Sequence, residues 1–270
     1  MQPTICPGGV IGSRVRLKIE SRKGWRFNSS PGHMKRSVVI IAHNEEKYIE
    51  RCIQSILDQT LIPDEIVLVA HNCTDTTIEK ASKFQNVTIS ELYGKPGIVY
   101  ARIQGITHTT GDRIFCIDGD AWAEKNWIES LDILLNQSPY SFVGSFVKYT
   151  ENIFWTLINS LNFLMSFFIR NKTYWVWGPS FAFSKEKKGQ IIQYLKEFLD
   201  VVKKIKLEGY PDDFWVALRY SQNNPILFTR KTIVHAVAKE QNFFDGLKRS
   251  IGSNRNVPKL ISYLKSTYEQ

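Results

Sequence analysis

Cysteine is scarce and unpatterned in this 270-residue chain. The four, at 6, 52, 73 and 116, show no CxxC spacing and no cluster with histidine. That argues against a zinc motif, and the thiols read as reduced. Internal repeats and low-complexity tracts are absent, which removes solenoids and wholesale disorder. The first 33 residues hold no apolar run of signal-peptide length. Long hydrophobic runs are also lacking. Ile153–Ile169 has 17 residues without a charge, the short limit of a membrane span. Its polar members Thr156, Asn159, Ser160, Asn162 and Ser166 fall mostly on one helical stripe. The stretch therefore reads as a helix buried in protein, a helix lying in a membrane interface, or a span. Trp155, Tyr174, Trp175 and Trp177 suit the interfacial reading.

Concentrated positive charge is missing from the body of the chain. There are 35 Lys+Arg against 26 Asp+Glu, but residues 1–33 alone carry six basic residues and one acid. The other 237 residues hold an excess of only +4. A dispersed excess makes no nucleic-acid footprint, so no nucleic-acid partner is expected. Residues 1–33 are rich in Pro and Gly and follow no period. They read as a disordered or non-native leader, or as a basic arm. Residues 241–270 read as a basic tail that anionic lipid would attract.

What is present is an alternation of strand and helix. Ser37–Ala42 and Glu65–Ala70 are continuous apolar runs, the pattern of strands covered on both faces. Asn44 is placed to cap a helix carrying Ile49, Cys52, Ile53 and Ile56 at helical spacing. Thr74 or Asp75 is placed to cap the next. A short strand at Val87–Ser90, a helix at Ile98–His108 and a strand at Arg113–Ile117 follow. Short links between such elements imply a parallel sheet with crossover helices, whose ligands bind at the carboxyl ends of the strands. His43-Asn44-Glu45, His71-Asn72 and Asp118-Gly119-Asp120 all fall at those ends. Beyond Asp120 the spacing predicts helices at Trp127–Leu135, 188–205 and Asp212–Tyr220, with extended segments at Phe142–Tyr149, Tyr174–Phe183 and Ile226–His235.

Two acidic pairs carry the chemistry. Asp118 and Asp120 flank a glycine that permits a tight turn and close approach of a ligand. They read either as a solvated turn or as hard oxygen ligands for Mg2+ or Mn2+ shared with a diphosphate. Asp212-Asp213 reads either as the acidic first turn of a helix or as a source of a general base. His235 reads as structural or as a further metal ligand.

In the order SVVIIAHNEEKYIERCIQSIL, EIVLVAHNCTDTT, GKPGIVYARIQGI, TTGDRIFCIDGD, WGPSFAF and PDDFWVALR, the chain resembles the family-two nucleotide-sugar glycosyltransferases of the GT-A fold, over about residues 36–236. The resemblance implies an α/β fold with a mostly parallel central sheet and helices on both faces. A domain at 34–240 would divide into a nucleotide-sugar-binding half, 34–122, and an acceptor half, 123–240. It further implies an inverting, Mn2+- or Mg2+-dependent transfer of one sugar from a nucleoside-diphosphate donor to a glycan or lipid-linked acceptor. The protein would work at the cytoplasmic face of the inner membrane, with peripheral contact through 153–169. Ala42, His43, Asn44, Glu45, His71, Asn72, Asp75, Lys95, Gly97, Arg102, Asp118 and Gly119 would bind the donor. Asp120 would ligate the metal, with His235 beside it, and Asp213 would be the base. Trp177, Gly178, Ser180 and Asp212 would lie toward the acceptor. The chain departs from the family at Ala70-His71, where two aspartates are common, and at Ile103, where Asn often follows Ala-Arg. Asp212 replaces the usual Glu, and Arg219 matches the arginine closing that motif. No Gln-x-x-Arg-Trp motif of polymerising members occurs. The remaining reading on this fold is a catalytically silent nucleotide-sugar-binding protein.

Overall fold

The computed structural model describes residues 15–18, 32–95, 97–137, 139–150, 156–157, 178–207, 212–237 and 258–268. Within it β1 is Val15–Lys18, β2 Arg36–Ala42, β3 Glu65–His71, β4 Val87–Leu92 and β5 Arg113–Asp118. The intervening helices are α1 (Ile49–Leu57), α2 (Thr77–Ser82) and α3 (Ile98–His108). Strands β4-β3-β2-β5 are parallel neighbours. Val38, Val39 and Ile40 of β2 are fully buried, which is why this strand shows no polar alternation. Val38 and Ile40 join the apolar cluster under α1, and Val39 and Ile41 join the one under α3. The parallel half is thus a sheet between two helical layers. Ile49, Cys52, Ile53 and Ile56 form the buried stripe of α1. Each isoleucine so buried contributes about 1.5–3 kcal/mol.

The second half is wound differently. It contains β6 (Ala121–Ala123), α4 (Trp127–Leu135), β7 (Phe142–Tyr149), β8 (Phe181–Ser184), α5 (Lys188–Ile205), α6 (Asp212–Ser221) and β9 (Leu227–Ala236), with a final helix α7 at 258–268. The nine strands form one sheet in the order β1-β4-β3-β2-β5-β8-β7-β9-β6. β8 runs antiparallel to both β5 and β7, and β6 antiparallel to β9. Parallel pairing resumes only between β7 and β9, with an irregularity between Ser145 and Phe146.

Several local expectations shift. Asn44 does not cap α1. That helix begins at Ile49 after Tyr48, and Asn44 is left-handed, with φ 56°. Part of the leader pairs with the sheet: β1 lies antiparallel on β4, Val15 opposite Leu92. Part of the basic tail is α7, whose Leu260 and Leu264 are buried. The stretch 153–169 lies outside the described residues except for Thr156 and Leu157. No helix among the described residues is long and apolar enough to cross a membrane.

Candidate active site

The carboxyl ends of β2 and β3 meet through side chains that bond to backbone. Asn44 Oδ1 accepts from Thr74 N–H at 2.8 Å. Asn72, also left-handed at φ 50°, accepts from Gly94 N–H at 3.0 Å. Both asparagines therefore staple loops in the conformation their residue type tolerates best after glycine. Asp75 accepts from Thr77 N–H and Oγ1 and from Glu46 N–H. Burial opposes its ionised form, but these donors outweigh burial and lower its pKa. His43 Nδ1 donates to His71 O at 2.7 Å, and His71 Nε2 to Lys95 O at 3.0 Å. Burial lowers the pKa of His71. Gly97, at φ 134°, turns the chain into α3. Ala42 and Glu45 are buried. A Cβ on Gly119 would sit 3.0 Å from that of Ala42. Gly119 thus packs closely on the end of β2.

The carboxylates converge one layer further in. Arg102, on α3, is 2% exposed. Its Nε donates to Asp212 Oδ2 at 2.9 Å and its Nη1 to Gly178 O at 3.1 Å, while Nη2 stands 3.7 Å from Asp118 Oδ1. Gly178 N–H donates to Asp213 Oδ2 at 2.8 Å. A Cβ on Gly178 would lie 3.2 Å from Arg102, 3.5 Å from Asp213 and 3.8 Å from Asp118. Three polar side chains from three elements thus surround one glycine, where a side chain would crowd Arg102.

Their electrostatics differ. Burial, then Asp212, pushes Asp213 up to about 6 against the pull of Arg102 and of the Gly178 and Phe214 N–H groups. Burial pushes Asp118 up to about 7, with Arg102 opposing and the neighbouring carboxylates adding. Its Oδ1 is buried and makes no hydrogen bond. Asp212, in contrast, is held tightly by Arg102 and is only 3% exposed.

Asp118 Oδ1 accepts no hydrogen bond, has only Arg102 Nη2 at 3.7 Å, and lies two residues from Asp120, so the two carboxylates suit a hard cation. Among the described residues no three His, Cys, Asp or Glu side chains are grouped to hold one. The donor set therefore fits a cation whose remaining ligands are substrate phosphates, the usual arrangement for Mg2+. His235 is committed elsewhere: its ring stacks on Trp122 at 5.6 Å and 8°. Arg51 covers Trp122 at 3.4 Å, and His235 Nε2 lies 3.9 Å from Glu124 Oε1.

Two other expected positions move. Ser180 is fully buried, accepting from Trp127 Nε1 and sharing a hydrogen bond with Ser145, so its side chain cannot face an acceptor. Arg219 turns from the cluster toward α5, bonding Glu197 at 3.0 Å. Trp177 lies outside the described residues. The sequence reading put Arg102 beside the base and diphosphate and so missed its place among the carboxylates. The signal was present: Val99, Arg102 and Ile106 share one stripe of α3, and a charge within an apolar stripe requires a buried partner.

Residues 37–191 match the family described as glycosyl transferase family 2. The chain belongs to that family. The match ends before Asp212-Asp213. Over 123 residues the family member is 29% identical to glycosyltransferase GlyA of Streptococcus pneumoniae, covering 44% of this chain and 18% of GlyA. Over 111 residues it is 34% identical to the glucosyl-dolichyl phosphate glucuronosyltransferase of Haloferax volcanii, covering 39% of this chain and 36% of that one. The chain therefore spans well under half the length of these relatives. A crystal structure of glucosyl-3-phosphoglycerate synthase from Mycobacterium tuberculosis, containing Mn2+, UDP and glucosyl-3-phosphoglycerate, superposes with a TM-score of 0.59 at 19% identity. It covers 88% of this chain and 86% of that one. The family match and the superposition agree on the GT-A architecture.

Proposed function

We propose that this family 2 member is an inverting glycosyltransferase, moving one sugar from a nucleoside-diphosphate sugar to an acceptor hydroxyl with Asp213 as general base. The observation that carries the reading is the inequality of the two carboxylates at the head of α6. Arg102 occupies Asp212, whereas Asp213 is half-buried, oriented by the Gly178 N–H, and raised toward the pH of its task.

The acceptor oxygen attacks the anomeric carbon from the face opposite the diphosphate. Its proton passes to Asp213 as the bond from sugar to diphosphate oxygen breaks. The loops after β2 and β3, with Lys95 and Gly97, bind the nucleoside, and Asp118 contacts ribose or sugar. Asp120 holds the cation, with Asp118 beside it. Mn2+ or Mg2+ bound there would neutralise the charge developing on the leaving group. The uncharged stretch 153–169 favours a lipid-linked or envelope glycan as acceptor, met at the cytoplasmic face of the inner membrane.

The test is release of nucleoside diphosphate from UDP-, GDP- and dTDP-sugars, with Mn2+, with Mg2+ and with EDTA. One donor should be turned over with metal and not with EDTA. Binding of a donor without turnover under any condition would instead identify a silent binding protein.

A further inference from the structure

Helix α7 lies beyond the family match, in a segment read from the sequence as a basic tail. Yet Leu260 is fully buried and Leu264 is 3% exposed. Both join the apolar cluster that contains Phe198 and Val201 of α5 and Phe214, Trp215 and Leu218 of α6. The Tyr263 ring sits 6.2 Å from the indole of Trp215, and Lys204 Nζ of α5 donates to its hydroxyl at 3.3 Å. Arg219, near the end of α6, lies over the Tyr268 ring at 3.9 Å while bonding Glu197 of α5. The last helix thus grips α6 at two points a turn apart.

Trp215 is two residues from Asp213 and fully buried. Rotation of α6 that moves one moves the other, because both are fixed to the same helical backbone. A base that must meet a hydroxyl at hydrogen-bond distance tolerates little displacement, and about 1 Å of misplacement costs on the order of 100-fold in rate. The Gly178 N–H aims Asp213 from the front. On that side Arg102 also holds Asp212, at the head of the same helix, and α7 meets the helix further along, at Trp215 and Arg219.

We propose that α7 is the positioning element for the general base. Tyr263, acting through Trp215, and Tyr268, acting through Arg219, set the rotation of α6 and hence the aim of Asp213. The inference rests on Asp213 being the base, so its test includes a measurement that needs no turnover.

The experiment compares the full chain with Tyr263→Ala, Tyr263→Phe and a chain ending at residue 257. Hydrogen exchange in 212–221 should quicken about tenfold in Tyr263→Ala and in the shortened chain, with β2 to β5 unchanged. With the donor selected above, kcat should fall about ten- to 100-fold while donor KM stays within about twofold. Tyr263→Phe keeps the ring against Trp215 and should restore most of the rate. If the shortened chain does not fold, the two point variants decide. Unchanged exchange in 212–221, or kcat within about twofold of the full chain, would overturn the proposal. So would an equal loss in donor binding and kcat. A wild-type chain that turns over no donor would refute the function, while the exchange experiment would still test the positioning.

Discussion

The two halves of the sheet spend their polar residues differently. In the parallel half, Asn44, Asn72 and Asp75 satisfy backbone groups at strand ends and hold the loops there in shape. Where the halves meet, Arg102 and Asp118 of the parallel half and Asp212 and Asp213 of the mixed half satisfy or strain one another beside Gly178, whose C=O and N–H bond Arg102 and Asp213. The first arrangement is local and neutral on balance. The second gathers charge in a place that burial makes costly. Loop shape and buried charge are therefore carried by different sets of residues, and substitutions in the two sets should have different signatures.

The largest effect should come from Asp213→Asn. Transfer should fall by ~10²–10⁴-fold, the usual worth of a general base, with donor affinity kept. A parallel loss of donor binding would place Asp213 on the donor side instead. In the wild type, kcat/KM should be lost as pH falls through about 6, because the base must be deprotonated and its pKa is raised. An ordinary carboxylate would put that limb near about 4. The folded state favours the protonated acid, so the raised pKa stabilises nothing at neutral pH. Its penalty to stability grows as pH rises between the ordinary value and about 6.

Next in size is Arg102→Gln, which strands Asp212 in the interior. Breaking a buried pair by removing one partner costs roughly 3–5 kcal/mol, which the urea midpoint would report. Arg102→Lys keeps the charge but not the fork, and should fall between. A midpoint unchanged in Arg102→Gln would show that Asp212 is hydrated or protonated, and the comparison of halves would fail.

The parallel half was legible because its signals are local. β2 and β3 announce themselves by unbroken apolar runs, and α1 by its stripe. The extents of α3 and α4 agree with their expected bounds for the same reason. The carboxylate cluster was legible only as residue types. Arg102 and Asp212 are 110 positions apart, and no local spacing joins them. Asn44 failed differently: an asparagine after a strand signals a cap or a left-handed turn equally well. Helix α7 offers Leu260, Ile261, Tyr263 and Leu264 within one short stretch, too short a signal to distinguish from a solvated tail.

A middle-sized effect tests the parallel half. Asn72→Ala puts at φ 50° a residue that tolerates the left-handed region less well than asparagine, and deletes the bonds to Gly94. Together these should cost about 1.5–3 kcal/mol. Asn72→Gly removes the same bonds but relieves the backbone, and should recover about half. Equal losses in the two variants would assign the whole effect to the side chain. Either way the donor KM should rise more than kcat falls, the reverse of the pattern expected for Asp213.

The smallest effect is expected at His235, and it decides where the metal site ends. Register places His235 opposite Trp122, while Val237 N–H bonds to Asp120 O at 3.2 Å. The imidazole is therefore a diagonal neighbour of Asp120 across the β6–β9 pair. It lies flat on Trp122 with Arg51 on the other face. Burial lowers its pKa, with Glu124 opposing, so at neutral pH it is an uncharged member of a stack. Turning a nitrogen toward Asp120 would give up that stacking, about 0.5–1.5 kcal/mol, before any ligand bond formed. His235→Ala should thus lower stability by about 1 kcal/mol and raise the half-saturating Mn2+ concentration by less than about threefold. Asp120→Asn, in the same assay, should abolish the metal response. A tenfold or larger loss of Mn2+ affinity in His235→Ala would make the histidine a ligand. The Trp122 stack would then be a resting arrangement that opens when the donor arrives.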